Sequence, residues 1–269
     1  VRESDGALLW KAPVGWVWTT STPDGQRLFT GTVEGDILAL STEDGSILWR
    51  CRTNGGVYPA PAVDDQRVYT GSWDGCYYAL NKETGCIEWC YGTEGHDYRR
   101  GGGPDSAAPI LWKGNLICRV MPQTLVALEA ATGREQWRFT DPTRDGMSVT
   151  MNATPSASGD SVFLSTSIDH DGMPCGGRLL CIDDATGALR WHYTGAGGWT
   201  GSACTRDSVI CGSSTEVFVS CLQTEPGDDG VPRVIWRTRV NGICQESIPA
   251  IHGDRAFLLC ADGFLYAFQ

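Results

Sequence analysis

The residues best suited to chemistry fall in three irregular stretches of the sequence, residues 94–103, 141–148 and 167–177. Arginine binds carboxylates and phosphates through paired hydrogen bonds, and histidine exchanges protons near neutral pH. The sequence therefore predicts anion capture by Arg99 and Arg100. It predicts acid–base catalysis by His96 or His170, and the alternative is a solvated, salt-bridged surface. The polar residues of these stretches are His96, Asp97, Arg99, Arg100, Asp145, Asp169 and His170.

Metal and nucleophile motifs are incomplete. The run from Asp141 to Gly146 partly resembles a calcium loop, but its twelfth position is Asn152 where such loops have Glu. The sequence has no Cys-x-x-Cys pair, no His-Glu-x-x-His and no Gly-x-Ser-x-Gly. We therefore predict no cofactor and no metal, with calcium in this run as an alternative.

Composition excludes several classes of protein. The formal net charge of −11 repels phosphate backbones, so nucleic acid is not expected as a partner. No apolar run reaches the roughly 18 residues that a membrane-spanning helix needs. With 41% apolar residues, the chain can bury a core. Because the sequence begins at Val1 and not at Met, a processed fragment or one domain of a longer protein stays an alternative.

A repeat built around tryptophan positions the polar stretches. A Gly precedes a Trp by four residues five times, and successive repeat tryptophans are 39, 40, 48, 54 and 45 residues apart. A second phrase recurs upstream, as from Ala79 to Gly85, and a third is clearest from Arg67 to Gly75. These short, β-branched and aromatic phrases between turn residues predict antiparallel strands. The repeat tryptophans are Trp10, Trp49, Trp89, Trp137, Trp191 and Trp236.

The repeat predicts a β-propeller. Four strands, A to D, in about 45 residues make one blade, and five complete blades end at successive repeat tryptophans. Residues 247–269 supply strands A to C only, and residues 5–10 supply a lone strand D. The sequence therefore predicts an all-β fold, a single six-bladed propeller of four-stranded blades over residues 1–269. N-terminal strand D is expected to join C-terminal strands A–C and remove the open sheet edge.

The predicted topology brings the irregular stretches together. Strands alternate in direction, so D–A and B–C loops emerge on one face, and all three stretches belong to such loops over blades three and four. Residues that enter strand A, the innermost strand, should ring the mouth of the central channel on that face. This ring forms either a ligand pocket or a plug against water. Its members are Trp18, Tyr58, Ser106, Asn152, Trp199 and Glu246.

The phrase Ala-Leu-Asn-x-x-Thr-Gly-x-x-x-Trp, best seen from Ala79 to Trp89, resembles the repeat of the pyrroloquinoline-quinone-like (PQQ-like) propeller superfamily. The resemblance covers nearly the whole chain. The superfamily includes quinone-dependent alcohol dehydrogenases, outer-membrane assembly scaffold lipoproteins, sensor domains, and propellers fused to acyl-adenylating enzymes. The dehydrogenases usually have eight blades and two adjacent cysteines, whereas this sequence predicts six blades and has no adjacent cysteines. We therefore do not expect a typical quinone-dependent dehydrogenase, and PQQ stays an alternative cofactor.

The twelve cysteines favour core positions. Cys181 and Cys221 align with alanines of the repeat, and Cys118 and Cys211 align with threonines, so all four should be small buried residues. The best disulfide candidate joins Cys204 and Cys211 across a hairpin. Mostly free thiols favour a reducing, cytoplasmic compartment. The superfamily resemblance implies export instead, to the periplasm or outside the cell.

With no complete catalytic motif and its irregular loops on one face, the chain is predicted to be a non-catalytic binding or scaffold module. It would bind a small molecule, a peptide or a partner domain on the D–A and B–C loop face. The alternative is an enzyme, an oxidoreductase or lyase, with its site in the channel mouth over blades three and four. The sequence predicts no oligomeric state. The ligand-binding candidates are Trp18, Tyr58, Asn152, Trp199, Glu246, Arg99, Arg100 and Asp169.

Overall fold

The structure is a computed structural model, and its regular elements are β-strands. Neighbouring strands pair in antiparallel fashion and form six sheets within the described residues. This part of the chain contains no helix long and apolar enough to span a membrane. The predicted all-β class is confirmed. The described residues are 4–93, 104, 107–121, 123–141, 147–151, 153–170, 173–245 and 247–269.

The chain divides into two compact units, of which the first comprises Val1–Leu116 and Glu129–Arg134. Two four-stranded sheets in simple sequence order form most of this unit. Glycine and Asx turns join the strands, as expected for the repeat. The strands are β1 (Thr22–Asp24), β2 (Arg27–Gly31), β3 (Asp36–Ser41) and β4 (Ile47–Arg52), then β5 (Ala62–Val63), β6 (Arg67–Ser72), β7 (Cys76–Asn81) and β8 (Ile87–Gly92).

The third sheet has the strand order β12-β11-β10-β9. Its strands are β9 (Ile110–Trp112), β10 (Asn115–Met121), β11 (Thr124–Glu129) and β12 (Glu135–Thr140).

The second unit comprises Ile117–Leu128 and Glu135–Gln269. In its fourth sheet, β13 and β14 both pair with the long strand β15, so strand A is present there as two pieces. The fifth sheet has four strands and the sixth has three. The strands are β13 (Met147–Thr150), β14 (Ser156–Ser158), β15 (Ser161–His170), β16 (Met173–Asp183), β17 (Leu189–Thr194), β18 (Ser202–Cys204), β19 (Ser208–Cys211), β20 (Phe218–Pro226), β21 (Pro232–Arg239), β22 (Ala250–His252), β23 (Arg255–Leu259) and β24 (Leu265–Phe268).

The pairing of strands C and D explains why strand C of the repeat carries a small residue, Ala or Cys. In each of the first five sheets this Ala or Cys lies directly opposite the strand D tryptophan, and a β-bulge follows it at once. A small side chain leaves room for the indole across the strand pair. The opposed pairs are Ala39 and Trp49, Ala79 and Trp89, Ala127 and Trp137, Cys181 and Trp191, and Cys221 and Trp236.

Each of five repeat tryptophans donates its indole N–H to a backbone carbonyl of the next sheet. Four of the acceptors lie in the turn that follows strand C, and the fifth lies near the end of a longer strand C. The bond satisfies the polar atom of a ring that is otherwise packed on apolar surface. The donor and acceptor residues are Trp10 and Thr42 (2.9 Å), Trp49 and Lys82 (2.9 Å), Trp89 and Ala130 (2.9 Å), Trp137 and Asp184 (2.7 Å), and Trp191 and Thr224 (3.1 Å).

A glycine is required beneath the ring in four of these contacts. Gly45, Gly85, Gly133 and Gly187 have φ between 72° and 73°, and a Cβ atom there would lie 2.4–2.8 Å from the indole of the preceding sheet's tryptophan. Any side chain would therefore meet both backbone strain and a collision with the ring. This is the physical reason for the Gly-x-x-x-Trp spacing of the repeat.

Three predicted features differ in the structure. Residues 6–18 belong to no strand, so the expected N-terminal strand D is not formed, and the sixth sheet consists of β22, β23 and β24. Residues 167–177, predicted as a loop, lie largely in the paired ends of β15 and β16. The stretch 141–148 runs into β13 because residues from Met147 onward find backbone partners on β15.

The cysteines also differ from the prediction in one respect. All twelve are free, and Cys118, Cys181, Cys211 and Cys221 are buried. The predicted Cys204–Cys211 disulfide is wrong, because Cys204 lies opposite Val209 while Ser202 lies opposite Cys211. The tight turn after Cys204 sets a register that places the two thiols at different rungs of the hairpin.

Candidate functional site

Much of the predicted polar cluster lies outside the described residues. His96, Asp97, Arg99, Arg100 and Asp145 are all in this group. Anion capture by the two arginines and proton transfer by His96 therefore stay predictions. Asp169 and His170 are the two members of the cluster that the structure describes.

Asp169 and His170 do not form an acid–base pair with each other. They are consecutive residues near the end of β15, and successive side chains of a strand point to opposite faces. Asp169 is buried, and its carboxylate accepts hydrogen bonds from Ser167 Oγ (2.8 Å) and Thr150 Oγ1 (3.3 Å). His170 is exposed. The arrangement gives Asp169 a structural role in holding β13 on β15.

Asp141 is bound to an arginine of its own unit. Arg178 Nη2 donates to Asp141 Oδ2 at 2.5 Å, and the two side chains are only 12% and 5% exposed. The carboxylate that would open the calcium loop is therefore already neutralised. Residues 142–146 and Asn152 of that loop lie outside the described residues, and the part of the chain that is described holds no group of three metal-ligating side chains.

The predicted ring at the channel mouth is described only in part. Ser106, Asn152 and Glu246 lie outside the described residues. Trp199, in the second unit, is partly buried, and its backbone N–H donates to Ser214 Oγ at 3.2 Å. Its indole Nε1 is buried and has no hydrogen-bond partner among the described atoms. Trp18 and Tyr58, in the first unit, belong to a larger cluster.

Four aromatic side chains of the first unit form a continuous row at its surface. Trp16 and Trp18 have ring centroids 6.1 Å apart, Trp18 and Tyr58 are 6.4 Å apart, and Tyr58 and Trp73 are 4.2 Å apart. Trp16 and Trp18 are 61% and 64% exposed, and Trp73 is 37% exposed. We call Trp16, Trp18, Tyr58 and Trp73 the aromatic row. It is a contiguous apolar surface of the kind that marks binding sites.

Turns anchor both ends of the aromatic row. The carbonyl of Trp16 accepts a hydrogen bond from Val33 N (2.8 Å) in the β2–β3 turn, and Trp16 N donates to the Glu34 carboxylate (3.2 Å). At the other end, Trp73 N, in the β6–β7 turn, donates to the carbonyl of Gly56 (2.8 Å). The backbone under these exposed rings is therefore fixed, and a partner that binds them loses little backbone entropy.

Asp74 stabilises the turn that carries Trp73. Its carboxylate accepts hydrogen bonds from Asn54 N (3.0 Å), Cys76 N (3.1 Å) and the Tyr78 hydroxyl (2.8 Å). Burial, followed by the hydrogen bond to Asp74, raises the pKa of Tyr78 well above its usual range. Tyr78 therefore remains a hydrogen-bond donor to this turn at physiological pH. Glu34, by contrast, is exposed beside Trp16.

Sequence reasoning identified Trp18 and Tyr58 from their place before strand A but missed Trp16 and Trp73. A signal was present, because neither residue occupies the repeat position, which six of the eleven tryptophans hold. Exposed tryptophans are candidates for binding, because tryptophan is enriched among the residues that dominate interface energies. The structure therefore adds Trp16 and Trp73 to the candidate residues.

Comparisons with known proteins support the propeller fold that the repeat predicts. The family model described as outer membrane protein assembly factor BamB matches residues 1–108 and 99–224. A search of curated proteins found no match. Among solved structures, BamB from Moraxella catarrhalis superposes with a TM-score of 0.75 at 17% identity, covering 98% of this chain and 76% of that one.

Two quinohemoprotein alcohol dehydrogenases have the same fold over part of their length. The enzyme from Comamonas testosteroni gives a TM-score of 0.65 at 17% identity, with 85% of this chain covered. The enzyme ADH IIG from Pseudomonas putida HK5 gives 0.61 at 17% identity, with 97% covered. This chain spans 43% of each dehydrogenase. At this identity the likeness shows the fold, a PQQ-like β-propeller.

Proposed function

The chain belongs to the PQQ-like repeat family described as outer membrane protein assembly factor BamB, and from this premise we propose that it is a non-catalytic protein-binding scaffold. The observation that carries the proposal for this chain is the aromatic row of Trp16, Trp18, Tyr58 and Trp73, in which three tryptophans are exposed and the rings are in continuous contact.

The contrast between two groups of tryptophan supports a binding role. Trp49, Trp137 and Trp191 are 8%, 6% and 4% exposed, because each is packed in a core position. Trp16 and Trp18 leave more than half of their surface in water. An exposed indole costs solvation free energy that folding does not recover, and tryptophan and tyrosine dominate the binding energy of protein interfaces.

Charge favours one class of partner. Glu34 is exposed next to Trp16, and the whole chain carries a formal net charge of −11. Aromatic faces attract Lys and Arg side chains, and a nearby carboxylate strengthens that attraction. The partner surface is therefore an extended protein segment that presents basic residues among apolar ones.

The alternative, an enzyme with its site over blades three and four, has less support. Its described members are Asp169, which is satisfied by hydroxyl groups, and His170, which lies on the other face of the same strand. No acid–base geometry joins them. The binding module is the better proposal.

Peptide binding tests this function. Peptides selected from a random display library on the wild-type protein would be synthesised and titrated by fluorescence anisotropy. We expect basic and aromatic sequences, and a loss of affinity of about 30-fold in the double variant Trp18→Ala/Tyr58→Ala, since two interface anchors are removed. The control is Ile235→Ala, an apolar residue outside the row that is 51% exposed. Peptides that bind all three proteins alike would refute the proposal.

We also propose that residues 1–269 form a single six-bladed propeller, in which the N-terminal segment completes the sixth blade. Residues 5–10 already have the features of a turn and a strand D start. In the N-terminal segment, Ala7 N donates to Asp5 Oδ1 at 3.0 Å, and Gly6 has φ 70°. The turn before β4 has the same geometry, because Ser46 N donates to Asp44 Oδ1 at 3.0 Å and Gly45 has φ 73°. Trp10 lies on the Gly45 backbone, as Trp49, Trp89 and Trp137 lie on Gly85, Gly133 and Gly187.

The sixth sheet has three strands, β22, β23 and β24, which correspond to strands A to C of the repeat. Ala267 of β24 lies opposite Phe257, as Ala39 lies opposite Phe29 in the first sheet. Ala39 has Trp49 on its other side, and the equivalent partner of Ala267 is Trp10. Strand D from residues 7–12 would therefore pair with β24 and complete a fourth strand.

Hydrogen exchange tests closure. If residues 8–12 pair with β24, Trp10→Ala should speed amide exchange about tenfold both in residues 8–12 and in Leu265–Phe268, because one ladder protects both. Exchange in β3 and β7 should change much less, since those strands have their own partners. A variant in which β24 exchanges at the wild-type rate would contradict closure by this segment.

A further inference from the structure

Two buried cysteines of the sixth sheet lie in contact. Cys244 Sγ and Cys260 Sγ are 3.1 Å apart, about 1 Å beyond the length of a disulfide bond. Both residues are buried, at 0% and 4% exposure. Cys211, which is also buried, donates to the carbonyl of Gly212 at 3.2 Å.

Backbone hydrogen bonds hold the two cysteines in this arrangement. Ala261 N, next to Cys260, donates to the carbonyl of Ile243, next to Cys244, at 2.8 Å. Cys244 N donates to the carbonyl of Ser213 at 2.8 Å. The thiols therefore approach each other because the segment before β22, which contains Cys244, is bonded to the turn after β23.

The repeat shows that cysteine is not needed here for packing. In the second sheet the same backbone bonds join Trp73 N to the carbonyl of Gly56 and Val57 N to the carbonyl of Thr32. The positions that correspond to Cys244 and Cys260 are there Val57 and Ser72, both buried. A valine and a serine satisfy the fold there, so packing alone does not require cysteine at these two places.

We propose that Cys244 and Cys260 form a structural disulfide bond when the chain folds in an oxidising environment. The bond would close a loop of residues 244–260 and hold the segment before β22 to the end of β23. The sixth sheet is the place where it would matter most, because this sheet has three strands within the described residues. In a reducing compartment the two thiols would remain free.

The chemistry is thiol–disulfide exchange with a small disulfide such as oxidised glutathione. One cysteine thiolate attacks the glutathione disulfide, forms a mixed disulfide and releases one glutathione thiolate. The second cysteine thiolate then attacks the protein sulfur of that mixed disulfide and releases the second glutathione. The two thiol protons end on the two released glutathiones, so the protein is oxidised by two electrons and the glutathione disulfide is reduced.

Burial dictates when the bond forms. Desolvation raises the pKa of both thiols, to about 12 for Cys260. A protonated, buried thiol attacks disulfides poorly, so exchange should occur before the core closes. The experiment therefore begins with residues 1–269 in the reduced, unfolded state.

Peptide mapping tests the pairing directly. The reduced chain is refolded with oxidised and reduced glutathione, free thiols are alkylated, and the folded fraction is digested with trypsin without reduction. Cleavage after Arg239 and Arg255 gives residues 240–255 and 256–269, each with one cysteine. We expect these two peptides to be joined, with a mass two hydrogens below their sum. Recovery of both as separate alkylated peptides, or of 240–255 joined to 207–233 through Cys211, would overturn the proposal.

Thermal unfolding supplies the second measurement. Adding a phosphine reductant to the oxidised wild type should lower Tm by roughly 5–10 °C, because the cross-link restricts the unfolded chain. The variant Cys244→Val/Cys260→Ser carries the residues of the second sheet and should show no reductant-dependent shift. An equal shift in that variant would mean that another bond is responsible.

Discussion

Replacing Trp137 with Ala is expected to lower the free energy of unfolding by about 3–5 kcal/mol. Trp137 is 6% exposed, its ring covers the backbone of Gly187, and its indole N–H donates to the carbonyl of Asp184 at 2.7 Å. The variant loses the buried ring and leaves that carbonyl without its donor. Denaturant titration followed by far-ultraviolet circular dichroism measures the change without relying on tryptophan fluorescence.

The glycine beneath the ring gives a matched control for this prediction. Gly187→Ala should be more destabilising than Gly159→Ala, although both glycines have positive φ, at 72° and 58°. A Cβ at position 187 would lie 2.8 Å from the Trp137 ring, whereas at position 159 it would meet no atom within 4 Å. In the Trp137→Ala background the excess cost at position 187 should shrink. Equal costs for the two glycine variants would contradict the role assigned to the Gly–Trp contact.

Replacing Asp141 with Ala is expected to cost about 3–5 kcal/mol of unfolding free energy, because it leaves Arg178 as a buried charge without its carboxylate. Arg178 Nη2 lies 2.5 Å from Asp141 Oδ2, and Arg178 Nε has no hydrogen-bond partner in the described structure. Arg178 therefore depends on this one carboxylate. The same denaturant titration measures the loss.

A second aspartate of the same unit calibrates the measurement. Asp229 pairs with Arg233 at 3.7 Å, but both side chains are more than half exposed, so Asp229→Ala should cost less than about 1 kcal/mol. Adding Arg178→Met to Asp141→Ala should recover part of the loss, since the unpaired charge is removed. If Asp141→Ala and Asp229→Ala proved equally mild, the Asp141–Arg178 pair would not be the buried contact described above.

The sequence predicts the sheets well because their signals are local. In β3 and β7, a continuous run of apolar residues ends in a Gly turn, and the Ala that precedes each turn lies opposite a tryptophan. Each of these features depends on a few neighbouring residues, and the repeat presents them five times. Residues 5–10 carry the same local pattern but lie in no strand of the structure, because a strand also needs a backbone partner, and the proposed pairing with β24 would supply it.

Register and exposure could not be predicted from local pattern. The proposed Cys204–Cys211 pairing failed because the turn between β18 and β19 places Cys204 opposite Val209. Trp16 and Trp73 resembled packing residues by type, and their exposure depends on segments that come together only in the folded unit. The close approach of Cys244 and Cys260 likewise depends on a backbone hydrogen bond between the segment before β22 and the turn after β23.

Hydrogen exchange on the protein with and without a selected basic peptide tests the proposed binding function most directly. We predict that the peptide slows exchange in the segments that anchor the aromatic row, residues 15–18, 32–35, 56–58 and 72–75, and leaves β15 and β16 unchanged. Slowed exchange confined to the end of β15 around Asp169 and His170, with the aromatic row unaffected, would contradict the proposal and favour a site on the other predicted loops.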